Sequence, residues 1–549
     1  MAPRRMLPAL LLTLAASCGP PVRDPIATER TATMPGTFIF PYVDPSIPMA
    51  PTQFTGAAGD PSGAPAIVYP LDGAMHPINI GQITFQWSRG APSSSVFRLA
   101  LARADGTRYE LYVPCSAADC RFTPPAAAWL TIAYANLDGA VTATVEGTDG
   151  SGGPVYRSPP IAVRFSPDAV AGGLYYWTQT SGGTTYRLPF GAVQATPFIV
   201  PSSATNPFSC GGCHSVSRDG QVISFSAAPD GNTSLGVLVS APTDDPTHPT
   251  VVPDANGDGI LARFTALNSN GSRVLLTTTD GQIRVLDTQT GLPVDVGNPM
   301  GLLPKGKLLT HPEWSPTGTR VAFTMYTGIV YDSTGAVTHT IGDTRPVDGE
   351  IVTMSFDPMT GHLGDLRVIV PMMTGDGLFH FYPSWSPDER WLVFASGPLG
   401  VSAYAAPDAR LRLAATDSEG QACPGPTCFE LANASQGTTV SSTWPKISPI
   451  ALANDGVLFV TFSSKTNYGS ILDKGTRAQL WMAAVDLRTP AADGDPSLPP
   501  IWLPFQDVTQ ANHLPFWSAI VACTNDGISY SRCGESELCT NGQCVPIVP

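Results

Sequence analysis

Cys210-Gly211-Gly212-Cys213-His214 is the stretch of this 549-residue chain whose residue types and spacing most directly allow chemistry. Two thiols three residues apart can add to the vinyl groups of a c-type haem, and the adjacent imidazole can ligate its iron from one side. The same pair can instead close a disulfide in a tight turn, or supply half of a metal site. A Cys-x-x-Cys pair with no second pair is a poor zinc site on its own. Four of the eight histidines, His214, His311, His380 and His513, each stand shortly before a recurring motif. If those places are equivalent in a ring-shaped fold, the imidazoles converge on one mouth. His311, His380 or His513 would then serve as a second axial ligand, or bind a second metal. The plainer alternative is that histidine belongs to the motif and bonds a neighbouring repeat. A second constellation, Asp254, Asn256 and Asp258 followed by Gly259, places oxygen ligands at alternating positions, as at the start of a Ca2+ loop. Position twelve of that loop is Thr265 where an EF-hand needs Glu, so the expectation is a structural calcium staple or an ordinary Asp/Asn/Gly turn.

The cysteine count of 11 is odd, which leaves one thiol for another task. Arg4 and Arg5 precede an apolar run from Leu7 to Ala16, too short to span a bilayer and patterned as a secretory signal. Its end, Leu14-Ala15-Ala16-Ser17-Cys18, resembles a bacterial lipobox. The resemblance implies a lipidated Cys18 and, with Gly19 rather than Asp next, an outer-membrane lipoprotein facing periplasm or cell surface. Several acyl chains hold such a protein stably on the membrane. Cys115 with Cys120, and Cys423 with Cys428, bracket short loops and are expected to pair. Cys523, Cys533, Cys539 and Cys544 crowd the C-terminus as a disulfide-stapled cap with three possible connectivities.

Positioning these residues falls to strands. Gly (53) and Pro (55) are abundant, which disfavours long helices, while 43% hydrophobic residues disfavour disorder. The formal net charge of -14 argues against nucleic-acid partners. From about residue 170 the chain repeats. Pro312-Glu313-Trp314-Ser315-Pro316-Thr317-Gly318 is matched by Pro383-Ser384-Trp385-Ser386-Pro387-Asp388 and by Pro445-Lys446-Ile447-Ser448-Pro449. Weaker copies surround Ser217 and Asn268, and a truncated one ends at Ser518. Each combines a bulky wedge, a Pro/Asp/Gly turn and an alternating inner strand. Several strands per repeat at this spacing mark a β-propeller.

The repeat resembles the PD40, or WD40-like, repeat of the TolB family, which implies six blades. Five copies are full. The sixth blade would join Phe516-Trp517 to N-terminal strands such as Gly173-Leu174-Tyr175-Tyr176-Trp177. Residues 63–166 carry short strand-like runs; Tyr69-Pro70-Leu71-Asp72-Gly73 and Trp87 resemble fibronectin-III or immunoglobulin-like modules. The expected organisation is all-β: signal and lipobox 1–18, Pro-rich linker 19–62, small β-sandwich 63–166, six-bladed propeller 170–520 and Cys-rich cap 521–549.

Catalytic motifs are sparse. The chain has no Gly-x-Ser-x-Gly elbow, no room for an α/β-hydrolase domain, no His-Glu-x-x-His and no phosphate loop. Two readings follow. One is a cell-envelope lipoprotein whose propeller is a binding platform for a protein or ligand, carrying one c-type haem for electron transfer to a redox partner, or carrying no cofactor. The other is a haem- or metal-dependent periplasmic redox enzyme.

Overall fold

In this computed structural model, residues 38–519 are described apart from loop segments, the longest being 202–209, 229–235, 253–258 and 450–455. Beyond them only short strands between 522 and 546 are described, and the side chains of a few strand residues, Cys210 among them, are not. Cys18, the Asp254–Asp258 constellation and Cys533 lie outside the described residues.

Residues 173–518 form six antiparallel sheets, five of four strands and one of five, the blades of a propeller. Blade 1 contains Gly173–Thr178, Thr184–Pro189 and Thr196–Ile199. Its innermost strand, Asn512–Ser518, comes from the other end of the propeller and pairs Leu174 with Trp517. Ring closure by both termini removes an open sheet edge, as the repeat pattern predicts. The inner strands of blades 2 to 6 are Cys210–Val216, Phe264–Leu267, Lys307–Trp314, Leu378–Trp385 and Ser442–Ile447.

The motif residues explain why each blade folds locally. The serine backbone N–H bonds the carbonyl that reopens the next strand, as in Ser315 to Arg320 (2.9 Å) and Ser386 to Trp391 (2.9 Å). The turn glycines take left-handed backbone, with φ of 67° at Gly220 and 72° at Gly318. In blade 5, Glu389 stands in the glycine's place at φ 59°. Its carboxylate accepts from the Thr317 backbone (2.6 Å) and from Arg320 (3.1 Å) of blade 4, an inter-blade tie that offsets the strain. The tryptophan wedges also reach the preceding blade. Trp314 Nε1 donates to the Ala266 carbonyl (3.0 Å) and Trp385 Nε1 to that of Glu313 (3.1 Å).

The sandwich differs from expectation in three ways. It begins earlier: Phe38–Val43, inside the expected linker, pairs in parallel with Arg108–Pro114. Pro41 hid this strand, and an edge position tolerates the missing N–H. The sheets contain seven and three strands, with parallel pairs at both ends of the larger one, unlike the fibronectin-III or immunoglobulin-like arrangement. A helix, Ala126–Ala135, buries Ala128, Trp129, Ile132 and Ala133 against the core. That spacing is helical and was legible.

The sandwich is fused to the propeller rather than hung from it. One apolar core runs from Phe85, Trp87 and Trp129 into Leu413 of blade 5 and Phe462, Trp481 and Trp502 of blade 6. Tyr69 Oη accepts from the Trp502 backbone (2.9 Å), and Tyr468 stacks on Trp502 at 4.0 Å. Gln86 Oε1 accepts from the Ser470 backbone (2.9 Å). Gly469 lies so close that a Cβ there would fall 2.4 Å from Gln86 Oε1.

Across the larger sheet runs a polar row. Tyr112, Arg98, Glu146 and Arg157 are successive register partners. Glu146 is buried and meets Arg98, Arg108 and Arg157. Removing its charge leaves Arg98 and Arg108 with Glu110 as their one carboxylate among the described residues, and takes this partner from Arg157. Glu146→Gln is therefore expected to destabilise by about 3 kcal/mol, read as a lower urea midpoint with unchanged slope. An unchanged midpoint would refute the assignment.

Candidate functional site

The inner strands converge on the propeller axis, and their bulges build the site. Four residues before each motif position stand Cys213, Phe264, His311, Tyr382, Trp444 and Leu514. Five of these six adopt left-handed backbone: φ is 49° at Cys213, 51° at His311, 55° at Tyr382, 57° at Trp444 and 51° at Leu514. At four of them the ladder skips on the same strand, between Gly212 and Ser215, Thr310 and Glu313, Phe381 and Ser384, and Thr443 and Lys446. In blades 1, 4, 5 and 6 the following residue is proline, which cannot donate to the ladder, and a bulge results. Blade 3 has Phe264-Thr265 there and pairs without a skip.

Each bulge aims its residue at the axis. Cys213, His214, Phe264, His311, Tyr382, Trp444 and Leu514 line one channel cavity. Its aromatic groups are packed together. Tyr382 stacks on Trp444 at 3.6 Å, and His311 lies 4.1 Å from Tyr382 and 4.5 Å from Phe264, ring centre to ring centre. His311 Nδ1 meets Thr324 Oγ1 at 3.2 Å, while its buried Nε2 has no hydrogen-bond partner. His214 is 1% exposed and packs against Phe516 at 5.3 Å. Burial lowers its pKa to about 3, and lowers that of His311 well below the usual value, with nearby Lys446 adding to both effects. Both imidazoles are therefore neutral.

Two positions before the motif serine a second ring faces the axis, and it carries charge. Lys446 of blade 6 pairs with Glu313 of blade 4 across the channel, its ammonium 4.0 Å from the Phe516 ring centre. Burial raises the Glu313 pKa, and Lys446 opposes that rise. This pair borders a second chamber of about 560 Å³, open solvent at its mouth included. Trp314, Trp385 and Trp517 wall it, and Arg218, Ser269 and Pro316 of the motif turns rim it. Arg218 donates to the Pro449 carbonyl.

The four histidines are not brought to one mouth. His214 and His311 reach the channel, but His380 bonds Ser396 Oγ (2.7 Å) and packs on Phe394 inside blade 5. His513 packs against Tyr404 and Trp177. Their distances from the motif serine differ, at six and five residues against His311's four. Sequence reasoning missed Lys446 and Glu313. Opposite charges at one shared repeat position were the available signal.

The thiol and imidazole of the Cys-x-x-Cys-His segment do share a wall, since Cys213 is half-buried beside His214. Beside them the rings of Phe264, His311, Tyr382 and Trp444 pack against one another in the channel. Among the described residues no cluster of three metal-ligating side chains occurs. Cys115–Cys120 and Cys423–Cys428 are disulfide-bonded. In the C-terminal hairpin, Cys539 and Cys544 are backbone register partners.

No family model and no curated protein matches the chain. Among solved structures it is similar to a puromycin-hydrolysing peptidase of Mycobacterium tuberculosis, at 15% identity and TM-score 0.33, over 55% of this chain and 40% of that one. It is similar to a GH74 xyloglucanase from Xanthomonas campestris at 14% identity and TM-score 0.33, over 60% of this chain and 45% of that one. A third is the β-propeller domain of Cps50 (Swd1) from Myceliophteria thermophila, at 11% identity and TM-score 0.29, over 51% of this chain and 87% of that one. The chain thus spans less than half the length of the first two. Identity at this level says nothing of activity.

Proposed function

We propose that this chain is an envelope-attached binding protein, tethered through Cys18, whose propeller channel takes a small ligand and performs no chemistry on it. The chamber beside Lys446 carries the reading. It combines apolar walls with a few convergent polar groups, the composition usual for ligand sites. Fragments that bind are expected to change the fluorescence of wild-type protein but not that of a variant with Trp314, Trp385 and Trp517 all replaced by Phe, the three tryptophans that wall the chamber. Binders that change the emission of this variant as much as that of wild type would place the ligand elsewhere and overturn the reading. For the tether, Cys18→Ser is expected to move the protein from the membrane to the soluble fraction. An unchanged distribution would refute lipid attachment.

A second reading keeps a c-type haem on Cys210, Cys213 and His214, exchanging electrons with an envelope redox partner. The neighbouring thiol and imidazole on the channel wall favour it. Protein made with haem-maturation machinery should then show a Soret band and stain for haem after denaturation. Absence of both removes this reading and leaves the binding platform intact. A calcium ion on Asp254, Asn256 and Asp258 would be structural, and chelation should then lower Tm.

A further inference from the structure

Away from the channel chamber, we infer that the seam between blades 1 and 2 holds a site for a small carboxylate, built on Arg187. The sequence isolates this residue. Residues 169–218 contain no Asp or Glu, and Arg187 is the one Lys or Arg between Arg164 and Arg218. The fold then buries it. Arg187 sits on Thr184–Pro189, the strand between Gly173–Thr178 and Thr196–Ile199, with Tyr175 and Thr196 as register partners. It is only 8% exposed. Its strand lies against Cys210–Val216 of blade 2.

A guanidinium keeps its proton in a protein, so burial cannot neutralise it as it neutralises the histidines. A buried charge is ordinarily paired. Here Nε and Nη1 of Arg187 are enclosed and have no hydrogen-bond partner. What the seam supplies is an aromatic floor. The guanidinium carbon lies 4.9 Å from the Phe198 ring centre, and Tyr175 packs on the same ring at 5.3 Å. Phe198 in turn packs on Ile199, Val216, Ile223 and Phe225, the apolar cluster that joins the two blades. A ring face attracts a cation but leaves its N–H donors unused.

The shape of the guanidinium selects the ligand. With Phe198 against its face, it offers its edge. Nη2 is the nitrogen that is not enclosed. Both forks of a guanidinium, Nε with Nη2 and Nη1 with Nη2, include it. Either fork joins the accessible nitrogen to an enclosed one that lacks a partner. Two coplanar oxygens on one carbon satisfy both donors at once, whereas a halide meets them as a point charge. The apolar surroundings strengthen each bond made there. Only an edge is accessible, so the class is a small, unbranched carboxylate of the size of acetate.

The test is an NMR titration of the whole protein with sodium acetate, acetamide and sodium chloride. It follows the Arg187 Nε–H signal, identified by its loss in Arg187→Met. Acetate is expected to shift this signal saturably, with an affinity at least tenfold above that of acetamide or chloride. Acetate should also raise the Tm of wild type and not that of Arg187→Met. Without acetate, Arg187→Met should melt no lower than wild type, because it removes an uncompensated charge. A chloride shift equal to that of acetate overturns the carboxylate class. No shift with any probe overturns the site, as does an Arg187→Met variant that melts far below wild type, since its guanidinium would then be paired already. None of these outcomes bears on the channel chamber, which the tryptophan emission tests separately.

Discussion

Lowering the pH from 7 to 5 is expected to reduce the thermal stability of this protein steeply. Five of the eight histidines, His76, His214, His311, His380 and His513, are buried. Burial lowers the pKa of His76, His214, His380 and His513 to about 3. The value for His311 is driven well below normal. A folded-state pKa depressed from 6.5 means that stability is present above that value and is lost as pH falls toward the folded-state value. At pH 5 each neutral buried imidazole costs about 2 kcal/mol relative to its protonated unfolded form, and five cost about 10 kcal/mol. That rivals a typical total stability of about 5–15 kcal/mol. Melting curves between pH 7 and 5 check this. A flat profile would mean the imidazoles take up protons in the folded state. His76→Phe, beside Trp129, should reduce the slope by about one proton.

The channel ion pair is expected to show the opposite pH behaviour when broken. Lys446→Met leaves the Glu313 carboxylate buried and unpaired, at a cost of about 3–5 kcal/mol near neutral pH. Burial already raises the Glu313 pKa, and loss of Lys446 raises it further. A raised folded-state pKa gives stability that is present at low pH and lost as pH rises through that value. The deficit of Lys446→Met relative to wild type should therefore shrink on acidification. Adding Glu313→Gln should recover most of the loss at pH 7. A deficit independent of pH, or no recovery in the double variant, would show that Lys446 acts through packing alone.

The repeat was legible because its turn chemistry is local. A serine or asparagine followed by a turn containing proline or glycine marks each full copy whatever surrounds it. The closing strand was legible because its Phe516-Trp517-Ser518 is a truncated copy. The site was less so. A bulge inserts one residue and inverts the alternation of faces before it. His380, six residues before its motif serine, thus faces Ser396 inside the blade, while His311, four before, faces the axis. Nearness to the motif grouped residues that the bulge separates. Lys446 in Trp-Pro-Lys-Ile reads as an ordinary exposed strand residue until Glu313 is noticed at the same repeat position. The strand Phe38–Val43 was hidden for a different reason: parallel edge pairing leaves no local turn signal.

Closure of the ring by Asn512–Ser518 also sets a timetable. Until that strand arrives, the axial edge of Gly173–Thr178 has hydrogen-bonding groups but no partner. Bringing the two together across several hundred residues costs about 5 kcal/mol of chain entropy. During that interval an extended strand from another copy could occupy the edge, with no such loop to close. Dilution and speed of completion, more than final stability, thus decide whether the first blade closes on its own chain or on a neighbour's.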